Sequence, residues 1–424
     1  MIRAALSVWI LSAVVCLGRG DHHGDHSHDD GHAHDDGHAH HHHNESDHGT
    51  SNLKLVSSAN TDFATQLYKK LAAQKDLQGK NIFFSPISVT LALAALSVGA
   101  RGDTYQQLFT GLGFNSSLLT QADVDKAFKS LLTGFNRTSQ EDLSAGTALF
   151  VQETFSPRAQ FVEAVKQEYL ADVFALDFHD APESVNNINK YVAEKTNGKI
   201  ANLVEDLDPA TLMYLVSYMY FKDKWELPFD PTVTKEDVFH VDEQTQVPVQ
   251  MMNMEESVNT YYDKESSTSV LQLQYIGSSS MLLVLPDKGL AELEEVICQV
   301  HVNKWLKWMR RRRTDIFVPK FSIKMSHSLK NVLSEMGMQD MFGSAADFSG
   351  ISDLRLSVSE VVHQATLDVD EAGATAAAAT GVGITLLSFR KIPVLKFNRP
   401  FIVLITDSNN GNIFFMGKIV NPNI

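Results

Sequence analysis

Along residues 62–73 the apolar side chains Phe63, Leu67, Tyr68 and Leu71 recur with a period near 3.6, which predicts an amphipathic helix with Asp62 near its start. Residues 88–98 are apolar at almost every position, so a helix there must be buried on all sides. Residues 186–195 read as a further helix that stops near Asn197-Gly198, where the backbone can turn left-handed. The second half of the chain changes period. Residues 212–221, 269–275, 280–285 and 316–323 are rich in Val, Leu, Tyr, Phe and Ile and predict strands. The run FIVLIT from Phe401, the turn Asp407-Ser408-Asn409-Asn410-Gly411 and the run NIFFMGKIV predict a hairpin. Helices early, strands late and no βαβ rhythm indicate an α+β fold. From Leu53 onward no repeat is visible and composition is even, so residues 53–424 are expected to form one domain.

The N-terminus reads differently. Arg3, an apolar run over residues 4–17 and Gly18-Arg19-Gly20 have the three parts of a secretory signal peptide, with cleavage expected within residues 1–20. The run is too short to span a bilayer. Cleavage would remove Cys16 and leave Cys298 as the mature chain's one cysteine, so that chain is expected to be held by packing rather than by an internal disulfide. Three Asn-X-Ser/Thr sequons, at Asn44, Asn115 and Asn136, suit a secreted, extracellular glycoprotein. Residues 21–52 begin with a tract that carries 12 of the 17 histidines and no apolar periodicity, and are expected to be a disordered tail. His38, His40, His41, His42 and His43 are its densest metal-ligand candidates. No spacing in it builds a closed site, so loose Zn²⁺ or Cu²⁺ binding and a plain solvated tail both stay open.

Charge and composition then narrow the function classes. The net charge of −15 includes eight acids within residues 21–48; taking these and the two N-terminal arginines away leaves −9 on the body, which is not the charge of a nucleic-acid binder. No later segment has the roughly 20 apolar residues of a membrane span. No nucleotide loop, zinc helix or nucleophile elbow stands in its proper context, and the histidines outside the tail, at 179, 240, 301, 327 and 363, are scattered. An enzyme is therefore not expected, and no cofactor is implied. Arg310 to Arg313, with Lys304, Lys307 and Lys320 nearby, form the one dense basic cluster, read either as a solvated face or as a glycosaminoglycan site.

Residues 367–400 are unlike a globular core. No charge occurs over residues 372–389, and small side chains surround Gly373. One reading is a short Ala-rich helix capped at Gly381. The other is an extended chain, because Ala374, Ala376, Ala378, Thr380, Val382, Ile384 and Leu386 share one face at period 2. Such a strand would enter a sheet without burying a charge.

The residues Asp370-Glu371-Ala372-Gly373-Ala374-Thr375-Ala376-Ala377-Ala378-Ala379-Thr380, then Phe397-Asn398-Arg399-Pro400-Phe401 and Phe414-Phe415-Met416-Gly417-Lys418-Ile419-Val420-Asn421-Pro422, resemble the hinge and C-terminal signature of the serpins. Asn81-Ile82-Phe83-Phe84-Ser85-Pro86-Ile87-Ser88, Thr196-Asn197-Gly198-Lys199-Ile200, Tyr220-Phe221-Lys222-Asp223-Lys224-Trp225 and Val318-Pro319-Lys320-Phe321 match in the same order. The resemblance covers about residues 62–422 and is nearest to the secreted antitrypsin and antichymotrypsin branch. It implies three β-sheets, eight or nine helices and an exposed reactive-centre loop over about residues 371–395. It also implies a suicide inhibitor: an extracellular serine protease attacks the loop, and the acyl-enzyme is trapped as a covalent 1:1 complex with a monomeric inhibitor when the cleaved loop inserts into a sheet.

On the same resemblance Glu371, Gly373, Ala374, Thr375, Ala376, Ala377, Ala378, Ala379 and Thr380 form the hinge. Counting from Glu371 puts the cleaved bond at Leu387-Ser388; counting from the C-terminal side reaches Phe389, and Arg390 or Lys391 would suit trypsin-like enzymes. A Leu or Phe anchor fits an apolar S1 pocket of chymotrypsin, elastase or cathepsin G type. Ser85, Ser88, Ser217 and His363 match the polar cluster beneath the sheet's opening, and Trp225 the aromatic residue where the loop enters, although Trp225 and His363 also suit plain core packing. The family commonly has Asn where Ser217 stands, which is expected to weaken the hold on the unopened sheet. Two other classes remain: a non-inhibitory carrier of a small hydrophobic hormone or polyanion on the same fold, and a hydrolase whose triad assembles only on folding.

Overall fold

A computed structural model of the chain describes residues 44–135, 142–372 and 391–424. Its strands, in chain order, are β1 (Ile82–Phe84), β2 (Asp142–Gln152), β3 (Ala171–Leu176), β4 (Met213–Lys222), β5 (Lys235–His240), β6 (Gln246–Asp263) and β7 (Thr268–Gln274). They continue with β8 (Ser279–Pro286), β9 (Arg310–Pro319), β10 (Phe321–Ser328), β11 (Glu360–Val369), β12 (Val394–Lys396), β13 (Phe401–Asp407) and β14 (Ile413–Ile419). With nine α-helices among the described residues, this is the expected α+β architecture.

Nine strands form one path, β1-β14-β13-β8-β7-β6-β9-β12 with β5 on β6, and five form another in the order β10-β11-β4-β2-β3. Two of the three expected sheets are thus continuous, because the 18-residue β6 pairs β5 and β9 over most of its length and β7 at its end. The hairpin is where the apolar runs placed it. Every residue of β13 and β14 is buried, and Phe83 stacks on Phe415 at 5.1 Å. Gly417 is required there, since a Cβ would stand 2.1 Å from the Ile82 carbonyl oxygen of the paired strand β1.

The helix Pro86–Gly99 is buried at every position but Val98, as its unbroken apolar run demands. Ser85 caps it by accepting a hydrogen bond from the Ser88 N–H. The helix Ala181–Lys195 starts earlier than its apolar pattern, because Asp180 caps it and Pro182 is tolerated in its first turn. Its end is as expected, with Asn197 and Gly198 both at positive φ.

Three expectations change. The first helix begins at Asn44, so residues 44–52 of the expected tail are helical. Leu53, Val56 and Ala59 extend the buried face toward the N-terminus, a stripe that intervening polar residues hide. The single strand expected over residues 316–323 is two strands in different sheets, broken at Pro319-Lys320, since alternation shows a strand but not a change of partner. The early half also holds β2 and β3.

Candidate functional site

In the five-stranded sheet the pairs β10·β11 and β4·β2 are antiparallel, but the central pair β11·β4 is parallel, from Glu360↔Tyr214 to Leu367↔Phe221. A segment that leaves the end of β11 and folds back is antiparallel to β11, and therefore also to β4. β2·β3 is parallel as well but does not touch β11, so of the two seams beside β11 it is the parallel one that suits a returning strand, which would exchange slanted parallel bonds for two antiparallel ladders.

At the end of the seam the chain already begins to turn. The Trp225 indole N–H donates to the Asp370 carbonyl at 2.9 Å, and the Trp225 backbone N–H approaches the Ala372 carbonyl at 3.5 Å. Trp225 is held by stacking on Tyr275 at 4.3 Å and by an edge contact with Phe229. The Ala372 N–H donates to the Asp370 carboxylate. Glu371 is buried here, its carboxylate taking an ion pair from Lys320 at 2.7 Å and a hydrogen bond from the Thr234 hydroxyl at 2.7 Å. Burial raises the Glu371 pKa, but the bonds from Lys320 and Thr234 outweigh it and hold the carboxyl below its ordinary range. Lys320 therefore belongs to this site and not to the Arg310–Arg313 cluster. Thr234 gave no sequence signal, because a lone Thr after Asp-Pro-Thr-Val reads only as turn.

Deeper along the seam, on its inner face, four of the singled-out residues meet, all at most 2% exposed. The Ser85 N–H donates to His363 Nε2 at 2.8 Å, so the ring proton sits on Nδ1, which donates to Ser217 Oγ at 3.0 Å. Ser217 then donates to Ser88 Oγ at 2.8 Å, and Ser88 to the Tyr218 carbonyl at 3.1 Å. This one-way chain ties β4, β11 and the helix Pro86–Gly99 together. Ser217, although smaller than Asn, still closes it. Burial pushes His363 down to about 3, helped by the neighbouring His327, which faces it across β10·β11 and is itself lowered by burial. The Ser217–His363 pair is not a nucleophile and base: Nε2 is occupied by a backbone donor and both groups are sealed from substrate.

The described chain resumes at Lys391, exposed, and β12 then pairs with β9 at the edge of the nine-stranded path. Lys396 bonds Asp237 at 2.6 Å across that edge. The hinge residues Gly373 to Thr380, the bond Leu387-Ser388, the alternatives Phe389 and Arg390, the Ala-rich helix or strand at Gly381, Asn136 and the tail histidines lie outside the described residues. Asn115 is exposed in a turn, its side-chain oxygen accepting from the Ser117 N–H at 2.9 Å; Asn44 opens the first helix. Arg310 to Arg313 are exposed, but Arg313 pairs with Glu255 and Lys304 with Asp263 and Glu265. Among the described residues no cluster of three or more metal-ligating side chains occurs, and no helix is long and apolar enough to cross a membrane.

Comparison with known proteins agrees with this geometry. The family described as serpin (serine protease inhibitor) matches residues 58–422. Alpha-1-antichymotrypsin of Homo sapiens is 41% identical over 383 residues, 89% of this chain and 90% of that protein. Serine proteinase inhibitor 2.4 of Apodemus sylvaticus is 41% identical over 387 residues, 89% and 92% of the two chains. Among solved structures, human thyroxine-binding globulin with its hormone superposes with a TM-score of 0.82 at 36% identity, covering 88% of this chain and all of that one. Human glycosylated kallistatin gives 0.81 at 36% identity, covering 88% and 99%. With a family match over most of its length and relatives this similar across nine-tenths of theirs, the chain belongs to the serpin family.

Proposed function

We propose that this protein is a secreted suicide inhibitor of serine proteases with an apolar S1 pocket, of chymotrypsin, elastase or cathepsin G type. The observation that carries the reading is the parallel β4·β11 seam, with the chain after β11 held against its open end by Trp225 as far as Ala372. The protease serine attacks the Leu387 carbonyl, the Leu387-Ser388 peptide bond breaks, and the Ser388 amine leaves with the C-terminal part of the chain. An ester then joins Leu387 to the protease. Entry of the freed segment, beginning at Gly373, draws the tethered enzyme along the seam before water reaches the ester. Residues 373–387 span roughly 45–50 Å when extended at about 3.3 Å per residue, enough to carry the enzyme past the far end of β4. Small side chains at Ala374, Ala376 and Ala378 let the first steps proceed without clash. The inhibitor itself turns nothing over.

The same reading takes residues 1–20 as a cleaved signal peptide, residues 53–424 as the inhibitory domain, and Asn44, Asn115 and Asn136 as glycan acceptors. The exposed Arg310–Arg312 face, with Lys307 and Arg310 against the half-exposed Trp308, is a candidate for glycosaminoglycan. The test is to mix the mature chain with chymotrypsin, elastase and trypsin in parallel, and to analyse denaturing gels and the released peptide by mass spectrometry. A complex that survives denaturant, with a peptide starting at Ser388, is expected with chymotrypsin. A chain that is clipped without complex, or untouched by all three, would overturn the proposal. The likeness to thyroxine-binding globulin favours a second reading, a hormone carrier, which predicts saturable binding of thyroxine that survives cleavage of the loop.

A further inference from the structure

The seam has two faces, and they are built differently. On the inner face Ser85, Ser88, Ser217 and His363 form the closed chain described above. One residue further along β11 the side chains point outward, where Val362, Gln364 and Thr366 face Val216, Tyr218 and Tyr220 of β4. The helix Ala181–Lys195 and the segment after it cover this face, with Ile188, Val192, Ile200 and Leu203 packed on Val216, Tyr218 and Val362. Beneath that cover Gln364 is wholly inaccessible and Thr366 nearly so. Ser326 donates to the Gln364 carbonyl oxygen at 2.9 Å, but the amide nitrogen has no hydrogen-bond partner among the described residues. Turning the amide over only exchanges which end is left over. The Thr366 hydroxyl has no such partner either. Buried polar groups are nearly always paired, so two unpaired ones two residues apart, on the strand that must part from β4, need a reason.

We propose that Gln364 and Thr366 are positioning residues that load the seam: they raise the energy of the closed sheet and favour rapid entry of the returning strand. When a strand separates β11 from β4, both side chains exchange their β4 neighbours, Tyr218 and Tyr220, for those of the entering strand, while Ser326 of β10 stays beside Gln364, so the penalty of the closed form is relieved on insertion. The inner chain holds the seam shut while the outer pair makes opening downhill once the loop is cut. This rests on the inhibitory reading above, which it deepens by naming residues that set the partition between trapping and release of the protease.

The test uses the mature chain carrying Thr366→Val, Gln364→Met or both, with Thr366→Ser as the conservative control. Three quantities are read: the thermal midpoint of the uncut protein, the rate of loop cleavage by chymotrypsin, and the inhibitor molecules consumed per enzyme trapped. Each apolar substitution is expected to raise the midpoint, to leave cleavage unchanged, and to slow insertion by up to about tenfold, the rate equivalent of one unpaired buried group. More inhibitor is then consumed per enzyme trapped. Thr366→Ser should partition like the parent. If the parent traps chymotrypsin and the variants partition as it does, or if they melt lower, the inference is wrong. If the parent forms no denaturant-resistant complex, the inhibitory reading fails and takes this inference with it.

Discussion

The β13·β14 hairpin and the β4·β11 seam are both buried, yet they differ in how they are closed. The hairpin joins strands that are neighbours in sequence, antiparallel, apolar at nearly every inward position and bracketed by β8 and β1. The seam joins strands 146 positions apart at Ser217 and His363, in parallel, with a polar chain on one face and unpaired polar groups on the other. A hairpin packed on both faces has no lower-energy arrangement open to it. On the proposed mechanism the seam has one, because a returning strand would replace a parallel pair with two antiparallel pairs. On that reading the difference separates the part of the fold that stays fixed from the part whose movement is the function.

The largest effect should come from denying the seam its strand. Ala376→Arg would carry a charge into a dry sheet, and formation of the covalent complex is expected to fall about a hundredfold or more while cleavage continues; a gel showing undiminished complex would refute the insertion mechanism. The hairpin predicts the opposite signature. Phe415→Ala removes a ring stacked on Phe83 and should cost about 3–5 kcal/mol of stability in denaturant unfolding, with the folded fraction still trapping protease at the parental ratio.

At the mouth of the seam, Lys320→Ala leaves the Glu371 carboxylate buried without its cation, at a cost of about 1–3 kcal/mol. The expected outcome is faster conversion to latent or polymeric forms on warming, followed by size-exclusion chromatography; unchanged monomer would show that the ion pair does not guard the opening. The smallest effect at neutral pH is that of His363. A histidine whose pKa is lowered on folding stabilises the fold fully above its ordinary value of 6.5 and progressively loses that contribution as pH falls toward about 3. Protonation would set a second donor at Nε2 against the Ser85 N–H. Thermal midpoints should therefore drop between about pH 6.5 and 3 in the parent and drop less in His363→Gln, whereas Phe415→Ala should keep the parental pH slope.

Much of this was legible in the residues. The apolar runs marked the hairpin and the buried helix. Ser85, Ser88, Ser217 and His363 were singled out, and folding brings them within hydrogen-bonding distance of one another. The partners Thr234, Gln364 and Thr366 were not legible, nor was the role of Lys320, which read as one more member of a basic cluster. Each depends on a contact between segments far apart in the chain.

By itself the sequence determined the buried helix Pro86–Gly99, the β13·β14 hairpin and the absence of charge over residues 372–389, because periodicity, side-chain size and ionisation are local properties. Only the tertiary structure decided that β4 and β11 run side by side and parallel, that one apolar stretch splits at Pro319 into strands of two sheets, and which polar groups find partners. Those outcomes are set by which distant strands meet, a choice made by the packing of the whole core rather than by any one segment.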